Sequence, residues 1–143
     1  AVEMALMAPW IFLLFIMVFD LGFYNYAAIA AENAARSGVM YTSQTTSYAN
    51  DQTMACQISL RELRGMPNVS AQLTTCVTDE ASVTASSPVA VQATKLAVSR
   101  DGAGLGTAQV AVTYLSPQLF PIPGLMGRMR ITRVAEARIR DNN

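Results

Sequence analysis

From Met4 to Phe19 this chain carries no charged residue, and that run limits the folds open to it more than any other feature. It holds Leu6, Trp10, Ile11, Phe12, Leu13, Leu14, Phe15, Ile16, Met17, Val18 and Phe19, with Glu3 before it and Asp20 after it. Beyond Asp20 the chain stays apolar and small through Ala31, before Glu32 and Arg36. The pattern predicts one helix from about residue 2 to the mid-40s. At about 1.5 Å per residue such a rod is roughly 60–65 Å long, about twice the hydrocarbon thickness of a bilayer. It begins in a membrane or a helical bundle and ends well outside it.

The rest of the chain is ordinary. Hydrophobic residues make up 52% of the sequence, but the excess sits in the first third, and residues 41–143 read as soluble protein rich in Thr, Ser, Ala and Val. Ten basic and ten acidic residues cancel, so no global field points to specific nucleic-acid binding. The chain has no His, which removes the commonest general base and the commonest metal ligand. It opens on Ala1, and removal of a short basic leader ahead of a retained apolar helix fits better than a secretory signal, whose apolar core is discarded. Cys56 and Cys76 both lie outside the apolar segment. An even count in a domain beyond the membrane favours one disulfide, with two buried thiols as the alternative. Two thiols without His fall short of a zinc site.

Along the chain, Asp51 to Arg64 reads as a short second helix, with Asp51 as its cap and Cys56, Leu60 and Leu63 on one face. Gly65, Met66 and Pro67 stop it. Residues 70–79 alternate as a strand, with Ala71, Leu73, Thr75 and Val77 on one side and Cys76 on the other. Val89 to Val98, Thr107 to Leu115 and Arg128 to Arg140 read as three further strands, with a hairpin loop over Arg100–Gly104 and a Pro-punctuated loop before the last. The expected fold is α+β: a long N-terminal hydrophobic helix (residues 1–45) and a small head (46–143) with a short helix and an antiparallel sheet of about four strands.

No catalytic constellation is present. No His can activate the many serines and threonines, and Lys95 alone would have to serve instead. Gly102, Gly104 and Gly106 lack a following GK[ST] and read as a hairpin loop. Asp79-Glu80 reads as a solvated turn. Neither cofactor nor metal is expected. Arg128, Arg130, Arg133, Arg138 and Arg140 give the C-terminal segment a basic bias that guards an exposed strand against edge aggregation, with binding of phosphate or acidic polysaccharide, or pairing with acids on a neighbouring copy, as the sharper alternatives. Asn68-Val69-Ser70 matches a glycan sequon, a pattern common by chance.

The opening helix carries the informative residues. Pro9 removes a backbone donor and should kink or loosen the rod, and Gly22 and Gly38 are further soft points. Small residues at Ala27, Ala28, Ala30, Ala31, Ala34 and Ala35 would let partner helices approach closely. Asp20 either ends a membrane span at its boundary or is an intramembrane group with a function. Glu3 either is a first-turn acid favoured by the helix dipole or meets the α-amino group of Ala1 on another copy, setting register in a low-dielectric core.

These residues resemble a known family. Ala1-Val2-Glu3-Met4-Ala5-Leu6-Met7-Ala8-Pro9, then Asp20-Leu21-Gly22, then Asn33-Ala34-Ala35-Arg36-Ser37-Gly38 resemble the TadE-like pilins of tight-adherence (Tad) pili. The tail is similar too, with Pro117, Phe120-Pro121 and a closing Ala135-Glu136-Ala137-Arg138. The acid stands at position 3 here, whereas type IV pilins usually carry it at the fifth mature position. The resemblance implies a leader removed by a prepilin peptidase, storage in the inner membrane, and assembly by an ATP-driven machine into an extracellular filament that serves surface adhesion. On that reading Ala1, Glu3, Pro9, Asp20 and Gly22 are assembly residues, and the main partner is the chain itself, as a helical homopolymer. The rivals are a minor or priming pseudopilin anchored in the inner membrane and a single-span membrane protein with an outer ligand-binding domain.

Overall fold

One helix, α1, runs unbroken from Val2 to Thr42 through Pro9. Its 41 residues correspond to a rod about 62 Å long. The computed structural model describes residues 2–70, 72–96, 106–119 and 127–140, apart from the side chains of Val2 and Ala5. After α1 come α2 (Gln52–Leu63) and three strands, β1 (Val89–Leu96), β2 (Thr107–Leu115) and β3 (Arg130–Arg138). The strands form one antiparallel sheet in the order β1-β2-β3.

The second half of α1 belongs to the core of the head. Ala27, Ala31, Ala34 and Ala35 are fully buried at helical spacing, so their face lies flat against α2 and the sheet. Gly38 allows the closest approach: a Cβ there would stand 3.0 Å from Ser59 Oγ and 3.1 Å from Val110 Cγ1. Ser59 Oγ in turn donates to the Ala34 carbonyl at 3.2 Å. The small residues expected to admit a neighbouring molecule's helix therefore admit α2 of the same chain. Gly38, read as a soft point, is a packing site instead.

The turn from α1 to α2 is held by side chains. The Asp51 carboxylate accepts from the Met54 N–H at 3.1 Å, as a helix cap should, and its other oxygen accepts from Tyr41 Oη at 3.3 Å. Tyr41 also stacks on Tyr48 at 5.0 Å. Cys56, Leu60 and Leu63 are buried together on α2. The Cys56–Cys76 disulfide is formed, with Cα atoms 5.8 Å apart.

Strand alternation supplies the inner face of the sheet. Val89 and Val91 from β1, Val110, Val112 and Tyr114 from β2, and Ile131 from β3 are all buried, and the register sets Val91 beside Val112 and Tyr114 beside Ile131. β2 has a neighbour on each side, and all of it is buried or half-buried. Tyr114 donates to Asn68 Oδ1 at 2.6 Å, while Asn68 Nδ2 donates to the Leu115 carbonyl at 2.6 Å. Asn68 is thus a pin between the chain after α2 and the end of β2, and its amide nitrogen is already engaged.

Burial pushes the Tyr114 phenol far above its ordinary 10.0. Above that ordinary value the unfolded chain gives up the proton while the folded chain keeps it. The unfolded state then binds fewer protons, so stability is complete below pH 10 and falls as pH rises beyond it, by up to about 1.4 kcal/mol per pH unit. Urea unfolding of the full chain in micelles, repeated from pH 8 upward, should show this alkaline loss, and Tyr114→Phe should lack it. Identical alkaline slopes in both proteins would refute the assignment.

The sheet has three strands among the described residues, where about four were expected. Of residues 70–79, Val77 alone pairs with the sheet, through an isolated parallel bridge to Ala90, and Ala71 lies outside the described residues. Two constraints defeat the alternation. The disulfide draws Cys76 toward α2, and side chains already occupy the edge of β1 that a fourth strand would need. Gln52 donates its amide N–H to the Val91 carbonyl and accepts from the Ala93 N–H at 2.7 Å. Asn50 Oδ1 accepts from the Lys95 N–H at 3.0 Å. Both ends of β3 fall two residues inside the expected strand, β2 matches, and β1 begins at Val89 as expected, with Ala97 and Val98 of its expected end outside the described residues. The expected hairpin over Arg100–Gly104 and the loop residues Phe120, Pro121, Pro123 and Gly124 lie outside the described residues.

Candidate assembly helix and its junction with the head

Below the head, α1 is bare. Met4 is 77% exposed, and Trp10 and Val18 are 70% exposed, with Phe12, Leu14 and Phe15 similarly open. A helix apolar on every side is normally a buried one, yet here none of the described residues covers it. The bare stretch from Glu3 to Gly22 is roughly 30 Å long, which matches a hydrocarbon core of about 30 Å. By length and composition, Leu6–Thr42 is the helix able to cross a membrane among the described residues, and its most apolar window is wholly unburied within the chain.

The expected assembly residues distribute along this helix without meeting one another. Glu3 is exposed in the first turn and has no partner among the described residues, and Ala1 lies outside them. Pro9 sits inside the helix and leaves the carbonyl four residues before it without its usual donor. A neighbouring helix or polar group would have to satisfy that carbonyl in an apolar medium. Gly22 faces open space, with nothing within 4 Å of a Cβ built there.

Asp20 marks the border. It is half-buried in a crevice of about 20 Å³ with Phe23, Tyr24, Ser116, Pro117 and Met129, which is room for roughly one water. Its other side borders an apolar groove of about 360 Å³ formed with Met17, Leu21, Tyr24 and Met129. On the N-terminal side of Asp20 the helix is bare, and from Phe23 onward it packs on the head. The acid therefore stands where the chain's own cover begins.

Sequence reasoning did not find the residues that close the edge of β1, Gln52 and Asn50, or the pin on the end of β2, Asn68. All three act through single amide groups that leave no periodic trace. A polar amide just ahead of a helix cap or just past a helix stop was the available signal.

The TadE-like family model matches residues 1–49. The TadE-like segment thus takes in all of α1 and the turn that follows it, while α2 and the sheet lie beyond. No curated protein and no solved structure matches the chain. Within the TadE-like segment two functions divide one helix. Residues around the Asn33–Gly38 motif pack the head together, while Met4, Leu6 and Met7 of the Glu3–Pro9 motif stand exposed among the described residues.

Proposed function

We propose that this chain is a structural, non-enzymatic subunit that polymerises through the bare half of α1 into an extracellular Tad-type filament serving surface adhesion. The observation that carries this reading is the exposure of about 30 Å of largely apolar helix on a head with its own buried core. At about 25 cal/mol per Å² of apolar surface removed from water, covering such a helix in every copy supplies a large, repeated driving force. The partners that accompany the reading are further copies of the chain, a prepilin peptidase and an assembly machine. The inner membrane covers the helix before assembly.

Electron cryomicroscopy of material sheared from expressing cells tests it. The expected result is a helical polymer with α1 at its axis and the heads outside. Recovery solely as a membrane-anchored monomer alongside filaments of another subunit would replace this reading with the minor-pseudopilin one.

Gly22 offers a finer test. Ala has nothing to strike there in the free chain and should make the helix more stable by about 1 kcal/mol. If neighbouring helices approach closely at Gly22, Gly22→Ala should lower filament yield while leaving head stability and membrane retention unchanged. Equal yield would remove Gly22 from the interface.

A further inference from the structure

The end of the head nearest the bare stem carries exposed arginines from two elements. α1 and β3 climb side by side. At the lower end Met129 lies with Asp20, Leu21 and Tyr24. At the upper end the Arg140 N–H donates to the Ser43 carbonyl at 2.9 Å, about 35 Å further along the helix. Arg128 and Arg130 stand one Cα step, about 3.8 Å, to either side of Met129, and both are exposed. α2 descends beside α1. Asp51 at its start is bonded to Tyr41, Ser59 to Ala34, and a Cβ on Gly65 would stand 3.9 Å from Tyr26 Oη. That descent brings Arg64, exposed at the C-cap of α2, to the same end of the head. Among the described residues none of these three arginines has an ion-pair partner.

The stem sets a depth for that end independently. Its bare stretch, Glu3 to Gly22, is as long as the hydrocarbon core, and the headgroup layer adds roughly 5–8 Å on each side, or about four residues of helix. The layer therefore runs from Gly22 to Tyr26. Tyr24 is half-buried there and Tyr26 is exposed, and tyrosines are enriched at such interfaces. The charge at this level is positive on balance. Arg61, Arg64, Arg128 and Arg130 face two acids, Glu62 and Asp20, of which Asp20 is half-buried in its crevice. Glu80, with Asp79 beside it, stands higher: it accepts from Thr132 Oγ1 at 2.7 Å, roughly 10 Å along the strand from Met129. Arg138 and Arg140 belong to the far end.

We infer that the stem-side end of the head is a docking surface for anionic phospholipid, with Arg64, Arg128 and Arg130 on the lipid phosphates around the emerging helix. The surface is continuous with the stretch that the hydrocarbon covers, so its occupant is the lipid leaflet and not a soluble anion. Long arginine side chains reach such a layer while their backbone stays on the protein, and an anionic surface attracts each of them. Contacts from two elements, α2 and β3, fix the tilt of the head on the leaflet. The inference rests on the membrane stage of the function proposed above and not on filament formation.

The full chain in phosphatidylcholine vesicles, with trace spin-labelled phosphatidylglycerol or spin-labelled phosphatidylcholine, tests it. Electron spin resonance reads the fraction of each label held at the protein. The phosphatidylglycerol label should be favoured at least about fivefold, the worth of one arginine near an anionic surface, and raised salt should reduce the preference. Replacing all three residues, Arg64→Gln with Arg128→Gln and Arg130→Gln, should bring the two labels level without changing thermal unfolding of the head. The three Arg→Lys changes should keep the preference. Arg138→Gln with Arg140→Gln removes charge from the far end and should leave the preference as it is. Equal retention of both labels by wild type would overturn the inference, as would a preference that survives the three Gln changes or falls equally with the far-end pair. Displacement by glycerol phosphate at matched ionic strength would also overturn it, marking a site for a soluble anion. Flotation separates the two failures: a chain that does not float with the vesicles removes the membrane stage and the inference with it, whereas one that floats without preference removes the inference alone.

Discussion

Phe12→Asp is expected to sever the chain from its surroundings while sparing the head. Phe12 sits in the middle of the bare half of α1 and is 66% exposed within its own chain, so the substitution removes no contact from the core. A carboxylate near the centre of a bilayer costs about 2.5–3.5 kcal/mol, or roughly a hundredfold in partitioning, and a helical filament core penalises it in the same way. Cell fractionation should find membrane retention and filament yield collapsed. Thermal unfolding of the purified chain should match wild type. Unchanged retention and yield would mean that the bare surface is not what engages membrane or neighbour.

Replacing both cysteines, Cys56→Ala with Cys76→Ala, should have the largest effect on the head. The bond closes a loop spanning a sequence separation of 20, for which chain entropy alone gives about 3 kcal/mol. For a head of this size that corresponds to a fall in Tm of about 10–20 °C. The loss should also be local. The bond anchors the residue next to Val77, and the Val77 backbone covers the edge of β1 through Val89 and Val91. Hydrogen exchange at the Val91 amide should therefore accelerate more than at Val112 in the sheet centre. Uniform acceleration across the sheet would show that the disulfide supports the whole head and not that edge in particular.

Much of the architecture is legible in residue order because it rests on periodic signals. The apolar run predicts α1, the Asp51 cap and the spacing of Cys56, Leu60 and Leu63 predict α2, and alternation predicts β2 to the residue. What misleads is a pattern without knowledge of its partner. Leu73, Thr75 and Val77 alternate as a strand does, but with Gln52 and Asn50 on the rest of the β1 edge only Val77 pairs there. The alanines of α1 have the spacing of a helix–helix interface, and sequence alone does not say that the other helix is α2. Asp20 and Glu3 stand out as charges in apolar surroundings. That Asp20 lies at the border of the head follows only from the packing of Met129 and Pro117 beside it.

The absence of a joint between the two halves of α1 has a mechanical consequence. The helix that is bare from Glu3 to Gly22 is continuous with the one that Ala31, Ala35 and Gly38 seat in the head. A load applied to the head passes into the stem along a single hydrogen-bonded rod, as shear across a broad packed face rather than as peeling at a tether. Resistance to shear is shared among many contacts at once, whereas a tether yields one contact at a time. The head's orientation is likewise fixed by whatever grips the stem. This protein is built as a rivet, with shank and cap cut from one piece.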